Sequence, residues 1–255
     1  FFIFALGLII SFIVVEIIFV SKDNREKALN NAVDLGKKAE SEFLSFLSSS
    51  NDLLHSINDS QIFNDYLTSQ KPIETNKLFT TLVGTQKHIM QLRYIDSNGF
   101  EKIRVDRNKE KNILLIPENQ LQNKFYRYYF QDSIKKPLQK VWFSALDLNI
   151  ENKKVVFPYV PTFRAILPLE NQGKFAGIII LNYYMEDFLN KFFANSIFDM
   201  ILLNNKGEIL KHYDSNFDWS SYKSENINIF DLYPEYAKDI LANDIYRNHQ
   251  FISVK

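Results

Sequence analysis

Apolar and polar residues change their spacing several times along the chain. Residues 1–20, FFIFALGLIISFIVVEIIFV, are apolar almost without interruption. A helix of that length spans about 30 Å, the thickness of a bilayer's hydrocarbon layer, so the run predicts a transmembrane helix. It is too long for the apolar part of a cleaved signal peptide and lacks a small-residue cleavage site. Glu16 is its one charge, near the end that would reach the interface. Beyond it Ala28, Ala32, Leu35, Ala39, Phe43, Phe46, Ser50, Leu53 and Ile57 recur at spacings of four and three, with Lys, Glu, Asn and Ser on the opposite face. That is one face of a long helix. The pattern predicts a stalk over 22–70, whose stripe could also serve as a dimer seam.

A second helical stretch covers about 72–90. IMQLRYIDSNGFEKIRVDR, 89–107, then alternates as two strands around the turn Ser97-Asn98-Gly99. Residues 112–134 read as loop and short helices. LQKVWFSALDLN, 138–149, has the β-branched and aromatic content of a strand, and 162–184 gives two strands around Asn171-Gln172-Gly173. The plan then restarts with a linking helix at 185–195, a hairpin at 198–213, a helical insert at 227–244 and the start of a third strand in HQFISVK. The fold class is α+β: a membrane helix (1–20), a stalk (22–70) and two antiparallel-sheet modules in series (71–184 and 185–255). The second module is smaller and cut short. No residue-level repeat relates the two, and the chain reads as a piece of a longer protein.

Composition narrows the function. The 255 residues carry 30 Lys+Arg and 30 Asp+Glu, so there is no basic excess for nucleic acid. There is no cysteine, hence no disulfide and no thiolate chemistry. His55, His88, His212 and His249 form no metal-binding pair, and no nucleotide-loop or nucleophile-elbow motif occurs. Seven glycines are few for loops that cradle phosphates. The fragment is therefore not expected to be an enzyme, and no cofactor is expected.

The segments RYIDSNGFEKIRVDR, RYYF, VWFSALDLNIENKKVVFPYVPTFRAILPL and GIIILNY, in this order after a membrane helix and a stalk, resemble the double Cache (PAS-like) periplasmic sensor domains of bacterial histidine kinases and diguanylate cyclases. The resemblance covers about residues 22–255. It implies a receptor ectodomain in the periplasm, anchored in the inner membrane, whose membrane-distal module binds a small polar or anionic molecule, such as a carboxylate or an amino-acid-like compound. A histidine kinase is the first expectation for the output; a diguanylate cyclase, a chemoreceptor or a ligand-free structural or protein-binding ectodomain are the alternatives. Arg127-Tyr128-Tyr129-Phe130 is similar to the Arg-x-aromatic-aromatic element of amino-acid-binding members. Where those members carry an Asp for the ligand's ammonium group, the matching position is Asn182.

The candidate ligand residues follow. Arg127 sits among Tyr126, Tyr128 and Tyr129, and guanidinium forks bind carboxylates and stack on rings. A surface helix covering the sheet would explain the same cluster. Arg164 alternates with Phe163 and Ala165, and Arg104 with Ile103 and Val105, so each points away from those apolar neighbours, to pocket or solvent. Trp142 and Ser144 share a face, as pocket floor or as core, and Asp147 follows them. Arg93 and Arg107 are read as surface residues paired with Asp96, Glu101 or Asp106.

Overall fold

The computed structural model describes residues 12–16, 22–108, 110–151, 154–194, 198–247 and 251–254. It has two compact units, a central one of Phe46–Met185 and a split one of Phe1–Ser45 with Glu186–Lys255.

The first described element is a strand, β1 (Phe12–Glu16), where the apolar run predicts a membrane helix. The rest of 1–20 lies outside the described residues, and no helix of the described residues is long and apolar enough to cross a membrane. The strand at 12–16 has a local reason. Phe-Ile-Val-Val is rich in β-branched residues, and a short, wholly apolar run has no period that separates helix from strand.

Helix α1 (Lys22–Asn58) carries the predicted stripe; Ala32, Val33, Ala39, Leu54 and Ile57 are buried along it. It stops short of residue 70 because Asn58-Asp59-Ser60 ends it. The Ser60 hydroxyl accepts a hydrogen bond from Phe63 N at 3.2 Å and caps the start of α2 (Gln61–Ser69). Helix α3 (Ile73–Thr85) follows.

The central sheet contains β2 (Ile89–Asp96), β3 (Glu101–Arg107), β4 (Ile113–Leu115), then, after helix α4 (Tyr128–Lys135), β5 (Trp142–Phe143), β6 (Asp147–Leu148), β9 (Pro161–Asn171) and β10 (Lys174–Tyr184). A separate ribbon pairs β7 (Ile150–Glu151) with β8 (Lys154–Val155). The sheet order is β4-β3-β2-β10-β9-β5, with β6 also on β9. The expected strand at 138–149 is thus only two short pieces.

Register sorts the sheet's two faces. Asn182 lies opposite both Arg164 and Gln91, and Arg93 opposite Ile180 and Arg104. These residues share the face that α4 covers. Phe163, Tyr183 and Tyr94 take the other face, against the helices: Phe46 of α1 lies 4.6 Å from the Tyr183 ring and 6.1 Å from Phe163, and Phe63 of α2 is 5.3 Å from Tyr94. Aromatic pairs of this kind contribute roughly 0.5–1.5 kcal/mol each beyond area burial. Gly177 sits where β10 bulges against β9, at φ +118°, and a Cβ there would collide with the Ile95 carbonyl.

The split unit has α5 (Glu186–Phe193), then β11 (Asp199–Leu203) and β12 (Ile209–His212), then α6 (Ile229–Leu232), α7 (Ala237–Ala242), β13 (Ile245–Arg247) and β14 (Phe251–Val254). Its sheet runs β12-β11-β1-β14-β13. Ala32, Val33 and Ala39 of α1 pack with Phe192, Phe198 and Met200, and Ile201, Leu203 and Ile209 with Ile229, Ala237 and Ile240.

Candidate functional site

The face of the central sheet beneath α4 holds buried charge. Arg93 is 3% exposed and Arg164 1%. Burying a guanidinium is tolerable only with a carboxylate and hydrogen bonds in place, and each has both. Arg93 lies 3.3 Å from Glu101 and donates to Asn182 Oδ1 at 2.9 Å and to the Tyr129 hydroxyl at 3.3 Å. Arg164 donates to Asp147 at 2.6 Å and to the Tyr128 hydroxyl at 3.1 Å, while that hydroxyl donates to the other Asp147 oxygen at 2.8 Å. The Nε atoms of Arg93 and Arg164 are buried without a partner among the described residues.

Glu101 joins the two halves of the hairpin. It faces Arg93, Arg104 at 3.6 Å and Lys124 at 3.9 Å, and accepts from Gln122 N at 3.0 Å. Burial alone would raise its carboxyl, but those three cations and the amide outweigh it and hold the group below its ordinary 4.5. Burial likewise opposes the Arg164 charge, and Tyr128 and Asp147 overcome it, so the guanidinium stays protonated. Burial pushes the Tyr128 hydroxyl up; Asp147 adds to this against the pull of Arg164. Lys124 is lowered, first by burial.

Three guanidinium groups surround one ring. The central carbons of Arg93, Arg127 and Arg164 lie 5.6, 5.6 and 5.8 Å from the Tyr129 ring centre. Tyr129 itself is 2% exposed. Arg127, half-buried at the start of α4, has no carboxylate within pairing distance among the described residues.

The ten residues singled out from sequence divide as follows. Arg127, Tyr128, Tyr129, Asp147, Arg164 and Asn182 come together around this ring and its ion pairs. Asn182 gives Arg93 its carboxamide oxygen and donates to Gln91 Oε1 at 3.0 Å. Arg104 is on the same face, held by Asp106 at 2.6 Å. Trp142 donates to Ser133 of α4 at 3.1 Å, beneath the insert. Ser144 is buried, and its hydroxyl accepts the Arg164 backbone N–H at 3.2 Å, so it positions β9. Tyr126 is 92% exposed and stands apart.

Two expectations are corrected. Arg93 is not a surface residue but the centre of the site, because α4 covers the polar face of β2. Among the described residues Arg107 is not paired with an acid: its guanidinium donates to the carbonyls of Val83, Gln86 and Ile89, closing the end of α3. The expected pairing of Arg93 with Glu101 is present but buried, and Lys124 and Gln91 were missed. The one sequence signal for them is Gln91-Leu92-Arg93 in a strand flanked by apolar residues, which marks a polar face without saying that it is covered.

A family model described as bacterial histidine kinase, sensor domain, matches residues 33–244. No curated protein matches the sequence. Among solved structures, the domain of a putative sensory box/GGDEF family protein from Vibrio parahaemolyticus is similar at 17% identity and TM-score 0.79, covering 91% of this chain and 96% of that one. The extracellular domain of a putative histidine kinase is similar at 17% and 0.78, covering 92% and 93%. The ligand-binding domain of the Campylobacter jejuni chemoreceptor Tlp3, in complex with L-valine, is similar at 15% and 0.61, covering 91% and 93%.

Proposed function

The chain belongs to the family of bacterial histidine kinase sensor domains, and from that premise we propose that its central unit is the membrane-distal module and binds a small polar or anionic molecule beneath α4. The observation that carries this reading is the ring of guanidinium groups around Tyr129, with one cation unneutralised and two buried Nε atoms unpartnered. A fold gains nothing from leaving such donors empty. The complex of Tlp3 with L-valine supports a small-molecule ligand.

Transmission rests on the two faces of β9 and β10. Arg164 and Asn182 face the site, while their neighbours Phe163 and Tyr183 touch Phe46 of α1. A ligand that prefers one placement of these strands biases the placement of α1, a population shift set by its differential affinity. The apolar run 1–20 supports an anchor in the inner membrane, with 22–255 in the periplasm. In a bilayer that run would be helical and the β1 pairing would be given up. A homodimer along the stalk belongs to this reading through residues of α1 outside its apolar stripe, which packs within the chain. A cytoplasmic histidine kinase is the output this family supports first, with a diguanylate cyclase or chemoreceptor as the alternatives.

A thermal-shift screen of organic acids, amino acids and amines tests the binding reading. A compound that stabilises the protein, and whose effect is lost in Arg127→Ala, is the expected result. A broad screen without any such compound would favour a structural or protein-binding ectodomain.

A further inference from the structure

We propose that the molecule bound beneath α4 is a small carboxylate with no ammonium group, and that Arg93 is a residue that enforces this choice. The proposal rests on the reading of this face as the ligand site.

The charges on this face are nearly all spoken for. Each carboxylate already has a cation: Glu101 has Arg93, Asp106 and Glu151 have Arg104 at 2.6 and 3.9 Å, and Asp147 has Arg164. With Lys124 beside Glu101, Arg127 beside Tyr129 and Lys136 over the Trp142 ring, cations outnumber these four carboxylates. The groups left over are all donors: the Arg127 guanidinium and the buried Nε atoms of Arg93 and Arg164. A ligand completing the site must therefore bring acceptors and negative charge. A planar carboxylate suits the guanidinium fork.

An ammonium group has no place here. Among the described residues no carboxylate on this face lacks a cation, so an added ammonium would have to compete for one already held. The obvious neutral acceptor, Asn182 Oδ1, is 2.9 Å from Arg93 Nη2. An ammonium drawn to that oxygen would meet the guanidinium directly, and like charges at such range in a poorly hydrated site repel strongly. The Asn182 carboxamide nitrogen is engaged as well, with Gln91.

The test uses the whole chain and short-chain carboxylates, each paired with its α-amino derivative, such as isovalerate with L-valine and succinate with L-aspartate. Calorimetric titration is expected to favour the unaminated acid of a pair by about a hundredfold, the order that one close like-charge contact produces. In Arg93→Gln the carboxylate is expected to bind about tenfold more weakly while its α-amino derivative loses less, so the preference shrinks. A merely structural role would weaken both alike. If Arg93→Gln does not fold, Arg127→Ala serves in its place: the half-buried guanidinium has only a ring contact to lose, and carboxylate binding is expected to fall while thermal stability holds. Equal or tighter binding of the α-amino acids would overturn the proposal. So would a failure of every carboxylate. In that second case a neutral or cationic compound whose binding is lost in Arg127→Ala would leave the sensing reading intact, and no such compound would remove both.

Discussion

At the residue scale, Glu101 decides how firmly the site is held. Its side chain is fully buried, and three cations converge on it. Removing one partner of a buried pair leaves uncompensated charge and costs roughly 3–5 kcal/mol. Glu101→Gln is expected to lower unfolding stability by about 3 kcal/mol in a urea titration. Glu74→Gln, which breaks the exposed pair with Lys77 (68% and 65% accessible side chains), is expected to change it by under about 0.5 kcal/mol. Equal effects would show that the buried cluster is not the firmer of the two. This contrast was not visible from residue types alone. Glu101 and Glu74 are both glutamates near basic residues, and only their neighbours in space separate them.

At the scale of elements, the α4 insert is the piece that turns a polar strand face into a site. The alternation of β2, with Met90, Leu92 and Tyr94 on one face and Gln91, Arg93 and Ile95 on the other, is legible in the sequence. So is the opposition of Arg164 to Phe163 and Ala165. What covers the polar face is not, because α4 arrives from a distant stretch of chain; without it Arg93 reads as a solvated edge residue. The same holds for Arg107, whose acceptors belong to α3. The end of α1 at Asn58 is hard to read because no glycine or proline marks it before Pro72. Trp142 reports on the insert because its indole N–H is bonded to Ser133 of α4. A ligand seated beneath α4 is expected to change Trp142 emission, seen as a difference signal that disappears in Trp142→Phe. A signal surviving that substitution would place the change at Trp219, in the split unit.

At the scale of the molecule, the two units are expected to differ in their response to acid. In the split unit His212 is buried, its Nδ1 accepting from Asp214 N at 2.9 Å. Burial lowers its folded pKa below the ordinary 6.5, although Asp214, Asp218 and Asp199 pull the other way. A lowered folded value means the unfolded chain takes up the proton first. The contribution of His212 is thus present above pH 6.5 and is lost as pH falls from there through the folded value. Glu101 in the central unit is also lowered, from 4.5, so its contribution is lost only below that pH. Acidification is therefore expected to loosen the split unit first. Trp219 should sense its transition at a milder pH than Trp142 senses that of the central unit, and His212→Gln should remove the earlier loss. Coincident transitions at both tryptophans would contradict this order.

The position of β1 has one more consequence. It lies in the middle of its sheet, bonded to β11 on one side and β14 on the other. Adjacent strands are spaced about 4.8 Å apart, so withdrawing β1 opens a slot about 10 Å wide between its neighbours. Both sides of that slot would carry unpaired amides and carbonyls, the chemistry that templates pairing with a foreign chain. A preparation trimmed to begin at Lys22 would thus expose two sticky edges facing each other, ready to recruit any extended apolar segment, including one from a second copy. For the chain outside a bilayer, where β1 is paired, a cut made to improve solubility would create an aggregation site.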